Sequence, residues 1–137
     1  MPAESEESTK IDNSFADNYT LENELLRINF DETTGLLSSV TDILSGSSIQ
    51  VKQNYYWYRS ADYDNATKQP SGAYIFRPNG TEPKPIALKR IQIQRIRGEH
   101  VNEIRQTFSP WVSQSVRLYK GAKFAEFQWT IGPIPFE

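Results

Sequence analysis

The sequence predicts an all-β protein, an antiparallel β-sandwich, and three observations carry that prediction. Apolar and polar residues alternate with period 2 in one segment after another, and no helical period of useful length appears. Turn signals built from Gly, Pro, Asn and Asp recur between these segments at regular spacing. Aromatics are frequent, at three Trp, seven Tyr and seven Phe, beside eight Pro and seven Gly. That composition suits pleated strands and tight turns better than helices. A chain of 137 residues is one domain at most, and it is long enough to bury a real core.

The segments follow in order. Residues 1–17 are charged, Ser-rich and poor in aliphatics, which predicts a disordered N-terminal segment. The folded part is expected over 18–137. Leu26, Ile28 and Phe30 alternate with Arg27 and Asn29 as a half-buried strand. Asp31 to Gly35 reads as a hairpin turn, with Gly35 suited to a positive φ, and Leu36 to Asp42 is the return strand. After a turn at Ser45–Ser48, Ile49 to Tyr58 reads as one long strand. Its alternation puts Tyr55 and Trp57 on one face, Tyr56 and Tyr58 on the other. Residues 59–71 form a polar loop. Ala73 to Phe76 is a short strand ended by Pro78-Asn79-Gly80.

Pro83 and Pro85 break the chain again. Ile91 and Ile93 alternate with Gln92 and Gln94, and Ile96 falls out of phase, which predicts a bulge. Past the turn at Gly98-Glu99, Ile104 and Phe108 share a face. In the next strand Val112, Val116 and Leu118 do the same. After Lys120-Gly121, Phe127, Trp129 and Ile131 face one way and Glu126, Gln128 and Thr130 the other. This makes about eight strands. The chain stops close to a strand, so the sheet is expected to continue in a larger parent assembly.

Charge and composition exclude several functions. Net charge is −2, with 5 basic and 12 acidic residues in 1–68 against 10 basic and 5 acidic in 69–137. The basic residues are scattered along strands, which reads as solvated faces and not as a patch for an acidic partner. Arg90, Arg95 and Arg97 lack the interleaved aromatics of a nucleic-acid surface. No apolar run reaches membrane-spanning length. There is no Cys, hence no disulfide, thiolate metal site or Cys nucleophile. No secretory leader follows Met1, so the chain is either cytosolic or an internal piece. Three Asn-x-Thr acceptors, at Asn18, Asn65 and Asn79, favour a piece of a secretory-pathway protein.

Little catalytic chemistry is present. The single His, His100, sits in a turn without a second His at ligand spacing, and zinc needs three or four donors. The same His would have to serve any Ser–His–acid group, and no Gly-x-Ser-x-Gly elbow exists. Asp62 with Asp64, or Glu22 with Glu24, has the spacing of a carboxylate pair, but such residues are ordinarily solvated surface. Tyr55, Trp57, Trp111 and Trp129 suit sugar platforms, although large aromatics in a sandwich are more often core.

Three blocks carry a resemblance. They are Ser71-Gly72-Ala73-Tyr74-Ile75-Phe76-Arg77-Pro78-Asn79, Phe108-Ser109-Pro110-Trp111 with Val116-Arg117-Leu118-Tyr119, and Gly132-Pro133-Ile134-Pro135. With Leu21–Arg27 and Phe30-Asp31…Gly35-Leu36 they resemble the β-rich region after the catalytic domain of class II α-mannosidases, glycoside hydrolase family 38, above all the lysosomal type. The resemblance covers Leu21 to Pro135 and leaves the N-terminal 17 residues unmatched.

The resemblance implies a non-catalytic fragment of a retaining enzyme that hydrolyses terminal α-linked mannose on N-glycan-type oligosaccharides. The nucleophilic Asp and a zinc ion then belong to an α/β catalytic domain outside this chain, which is the segment's partner. No residue here takes a catalytic or metal role. The implied location is the lysosome or secretory-pathway lumen. Tyr74 is the one residue that the resemblance sends to the sugar site, and the alternative for it is a buried strand tyrosine. The rival functions are a free-standing carbohydrate-binding β-sandwich and a structural interaction module.

Overall fold

Two hairpin turns of one construction organise the first sheet. In the first, Asp31 N–H donates to the Leu36 carbonyl (2.8 Å) and Gly35 N–H to the Asp31 carbonyl (2.7 Å), while Asp31 Oδ1 accepts the Thr33 and Thr34 amides (3.0 and 2.7 Å). In the second, Asp42 N–H donates to Ser47 (2.8 Å), Gly46 N–H to Asp42 (2.9 Å), and Asp42 Oδ1 accepts the Ser45 amide (3.0 Å). Each ends on a glycine in the left-handed region, Gly35 at φ 77° and Gly46 at φ 72°, where a Cβ is costly. An Asp side chain folding onto its own backbone is the local force that reverses the chain. These amides also hold the Asp31 and Asp42 carboxyls below their ordinary values.

The computed structural model describes residues 19–62 and 69–135, together with the backbone of 10–12. Among these residues there are strands and turns and no helix. The strands are β1 (Lys10–Asp12), β2 (Thr20–Glu22), β3 (Leu26–Phe30), β4 (Leu37–Asp42), β5 (Ser48–Gln50), β6 (Tyr56–Trp57), β7 (Lys84–Pro85), β8 (Gln92–Arg97), β9 (Val101–Ser109), β10 (Val112–Tyr119) and β11 (Glu126–Ile131). All pairings are antiparallel. One sheet runs β1-β8-β9-β10-β11 and the other β2-β3-β4-β5. Strand β1 lies inside the stretch 1–17, where the sequence suggested disorder. It pairs Lys10–Asp12 with Arg97–Arg95.

The two sheets close on one core. Leu21, Ile28, Phe30 and Leu37 come from the four-stranded sheet, and Ile104, Val116 and Leu118 from the five-stranded one. Full burial of such a side chain contributes about 1.5–3 kcal/mol. A polar seam crosses the core beside them. Gln114 donates to Gln106 Oε1 (3.0 Å), and Gln106 donates to the Gly35 carbonyl and to Gln53 Oε1 (both 2.9 Å). Gln53 Oε1 also accepts the Leu37 amide (2.8 Å). Gln106 is fully buried, so each of these bonds offsets a desolvation cost.

Two sequence expectations change along these strands. The strand expected over Ile49–Tyr58 is two: β5 ends at Gln50 and β6 starts at Tyr56. Ladder bonding lapses where side-chain amides take over. Gln53 caps Leu37, and Asn54 Oδ1 accepts the Tyr55 and Ala87 amides (2.8 and 3.1 Å). No bulge occurs at Ile96, because the β8–β9 register is continuous from Gln92↔Thr107 to Arg97↔Asn102. Arg95, opposite Ile104, takes the inward place and keeps the period at 2. The irregularities fall instead at Val112/Ser113 and at Asn29/Phe30.

Residues Asn54–Leu88 form a second compact unit, distinct from the sandwich of Met1–Gln53 and Lys89–Glu137. The sequence reading drew no boundary there. Strands β6 and β7 pair Tyr56 with Pro85 and Trp57 with Lys84. The Asn54 amide closes the base of this unit by bonding Ala87 in both directions. The predicted alternation holds along it: Tyr55 and Trp57 are half-buried, while Tyr56 and Tyr58 are exposed.

Candidate functional site

The Ser71–Asn79 block forms a braced loop in the second unit. Ser71 is its keystone. Its hydroxyl donates to the Arg77 carbonyl (2.7 Å) and accepts the Arg77 amide (2.7 Å), and its own amide donates to Ser60 Oγ (3.0 Å). Ala61 N–H adds a bond to the Arg77 carbonyl (3.0 Å), and Asn79 N–H one to the Arg59 carbonyl (2.7 Å). Between the braced ends, Gly72 and Ile75 make a single antiparallel bridge, Gly72 N–H donating to the Ile75 carbonyl (3.0 Å).

Ala73 and Tyr74 are therefore the tip of a turn. The strand expected over Ala73–Phe76 is not formed. The Ser71 hydroxyl bonds both backbone groups of Arg77 and shortens the span between the two residues, so a reversal replaces extension. The turn carries Tyr74 clear of the chain at 103% exposure. That excludes the buried strand tyrosine weighed above. Phe76, 71% exposed, meets Tyr58 edge to face with ring centroids 5.4 Å apart at 83°. The loop's outer surface is thus aromatic, and its frame is the Ser71 hydroxyl together with backbone hydrogen bonds. Arg77 Nη1 is buried with no partner among the described residues. Chemically the turn offers one phenol, a donor and acceptor on a rigid ring.

The remaining candidates separate from one another. Glu22 pairs with Arg27, and Glu24 Oε2 accepts the Gly121 amide (2.9 Å), so the two carboxylates serve different contacts. Asp62 is exposed and Asp64 lies outside the described residues. His100 is exposed, and its carbonyl accepts the Lys120 amide (2.9 Å). Among the described residues no three His, Asp or Glu side chains gather to hold a metal ion. These residues do not fit a zinc site. Of the four aromatics read as core or platform, none is fully buried. Trp57 is half-buried with Lys84 Nζ 4.8 Å from its ring centroid, and Trp129 is 61% exposed. Burial pushes the Tyr55 phenol up from its ordinary value. Arg90 donates to the Tyr19 phenol and lies over that ring. Of the sequons, Asn79 is exposed; Asn18 and Asn65 lie outside the described residues.

One charged cluster was missed from sequence. Glu103 is buried on the outward side of β9, between Arg105 (2.5 Å) and Arg117 (2.6 Å). Burial pushes its carboxyl up, but the hydrogen bonds from Arg117 and Arg105 outweigh it and leave the value lowered. Glu103, Arg105 and Arg117 are one spaced pair plus a cross-strand neighbour, a signal visible only once the β9–β10 register, Glu103↔Arg117, is known. The cluster is saturated by its own charges, so it is a clamp between strands and not a catalytic acid.

An antiparallel sandwich with a braced aromatic turn in a small second unit defines an all-β domain of an accessory kind. Residues 21–133 match the description "Glycosyl hydrolases family 38 C-terminal domain". The chain belongs to glycosyl hydrolase family 38, in its C-terminal domain. Similar proteins include the lysosomal alpha-mannosidases of Mus musculus, 43% identical over 115 residues, and of Homo sapiens, 43% identical over 116 residues. The alpha-mannosidase of Canavalia ensiformis is 43% identical over 111 residues. These alignments cover 84%, 85% and 80% of this chain and 11% of each relative. The chain therefore spans about a tenth of their length.

Proposed function

We propose that this chain is the non-catalytic β-domain of a retaining α-mannosidase. The complete enzyme removes terminal α-linked mannose from N-glycan-type oligosaccharides, and Tyr74 is this domain's contribution to the sugar site. The identity to proteins named lysosomal alpha-mannosidase supports the parent activity. The observation that carries the role of Tyr74 is its full exposure on a turn fixed by the Ser71 bonds. An unsupported aromatic would lose affinity to its own disorder, whereas a ring on a braced turn is pre-organised for a partner.

The nucleophilic carboxylate, the acid/base partner and the zinc ion belong to the α/β catalytic domain, this segment's partner. The described residues supply no metal site, and no step of the reaction runs through them. Tyr74 instead positions: its phenol hydrogen-bonds a mannose hydroxyl or a catalytic carboxylate at the domain boundary. The parent works in the lysosome or secretory lumen, which accords with acceptors at Asn18, Asn65 and Asn79.

The test is Tyr74→Phe in the complete enzyme. Loss of one hydrogen bond costs about 0.5–1.5 kcal/mol if neutral and about 1.5–3 if it meets a charge. That lowers kcat/KM by about twofold to over a hundredfold. Thermal stability should not change, because the side chain is not packed in this domain. Wild-type kinetics in the variant would remove Tyr74 from the site.

A further inference from the structure

The acceptor at Asn79 sits where the fold leaves a side chain unused. Asn79, Gly80 and Thr81 are all exposed. The backbone just before them is fixed: Asn79 N–H donates to the Arg59 carbonyl (2.7 Å), Ala61 N–H to the Arg77 carbonyl (3.0 Å), and Ser60 and Pro78 form the antiparallel bridge between these two bonds. At Gly80 the chain takes a φ of 98°, in the region that favours glycine, and a Cβ built there would meet nothing within 4 Å. Other asparagines spend their side chains on the fold. Asn23 Oδ1 accepts the Leu25 and Leu26 amides (2.9 and 2.8 Å), Asn29 Nδ2 donates to Ser39 Oγ (3.0 Å), and Asn54 Oδ1 accepts the Ala87 amide (3.1 Å). The Asn79 carboxamide and the Thr81 hydroxyl make no such bond among the described residues. Modifying Asn79 therefore breaks nothing, and the turn has room for a bulky group.

The bridge also sets the side on which Asn79 projects. Side chains alternate along paired extended backbone. Tyr58 lies two residues before Ser60 and Phe76 two before Pro78, and their rings meet at 5.4 Å. These four share one side of the bridge. Asn79 and Arg59, one step on and one step back, take the other.

We propose that Asn79 carries an N-linked oligosaccharide, on the side of the Asn54–Leu88 unit away from Tyr58 and Phe76. The donor class is a lipid diphosphate-linked oligosaccharide. In the transfer, Asn79 Nδ2 forms a bond to the anomeric carbon of the first sugar. The bond from that carbon to the phosphate oxygen breaks, the lipid diphosphate leaves with the electron pair, and Nδ2 gives up one proton. An attached oligosaccharide is bulky and hydrated, so this side of the unit stays in solvent in the complete enzyme. The inference rests on the reading that the parent works in the lysosome or secretory lumen.

The test uses the complete enzyme made in a secretory eukaryotic host. Its tryptic peptides are treated with peptide N-glycosidase in heavy-oxygen water, which turns each glycosylated Asn into a labelled Asp, and are read by mass spectrometry. Trypsin spares Arg77-Pro78 and Lys84-Pro85, so Asn79 falls in peptide 69–89 and Asn65 in peptide 60–68. Peptide 69–89 should be labelled in most molecules. Thr81→Ala and Asn79→Gln should abolish the label, and Thr81→Ser should keep it. The kcat/KM of Thr81→Ala should equal that of wild type. A fall in kcat/KM that Thr81→Ser does not share would overturn the placement of the oligosaccharide on the solvent side. Asn-Gly deamidates unaided, so label that is equal with and without the glycosidase, or that survives Thr81→Ala, overturns the proposal. An unlabelled peptide 69–89 beside labelled acceptors elsewhere in the same enzyme overturns it and leaves the lysosomal reading standing. An enzyme without any labelled peptide overturns both.

Discussion

A hydroxyl at position 71 decides where a phenol at position 74 points. The Ser71 side chain makes two bonds to Arg77, both 2.7 Å, and Ser71→Ala removes both. Each lost bond costs about 0.5–1.5 kcal/mol, so the Gly72 and Arg77 amides should exchange about 5- to 150-fold faster. Unchanged exchange would mean that the loop is held by backbone alone. Gly35 is the second decisive residue. At φ 77° an added Cβ would stand 2.8 Å from Ile91 Cγ1 and 3.0 Å from the Ile91 carbonyl. Gly35→Ala should therefore cost about 2–4 kcal/mol by adding left-handed strain to overpacking, read as a lower denaturant midpoint. The turn that carries Tyr74 was not legible from alternation. Period-2 patterning placed it in a strand, because patterning cannot see a serine side chain that bonds across six residues.

Most elements were legible because alternation and turn chemistry agree. Asp31–Gly35, the β9 and β10 faces and the alternation at Tyr55–Tyr58 all follow from sequence. What was hidden is cross-strand register. Gln106 and Gln114 drew no reading from sequence, yet opposite each other they complete a buried seam. Glu103 likewise gains meaning only beside Arg117. Its pH signature follows from its lowered value. Because the folded value lies below the ordinary 4.5, the clamp's stability is present above about 4.5 and is lost as pH falls through the folded value. Glu103→Gln should thus lower Tm at neutral pH, and the deficit should shrink as pH falls below 4.5. A deficit constant across that range would mean the carboxylate charge is immaterial. Asp31, Asp42 and Glu24 also have lowered values, so the acid limb of the wild type is shared and the comparison must be made with the variant.

At the scale of the molecule, the sandwich holds the buried core and the Asn54–Leu88 unit carries the exposed Tyr74 turn. The division explains why composition pointed to a fold but not to an activity: the core is ordinary, and the exposed phenol of Tyr74 lies outside it. The chain spans about a tenth of the length of its relatives. The proposed division, with catalysis outside this chain, is tested most directly by assaying the isolated chain with an aryl α-mannoside and added zinc, against the complete enzyme as a positive control. Turnover is expected from the complete enzyme and none above buffer from the chain. Turnover by the chain alone, abolished when one of its own carboxylates is replaced, would contradict it.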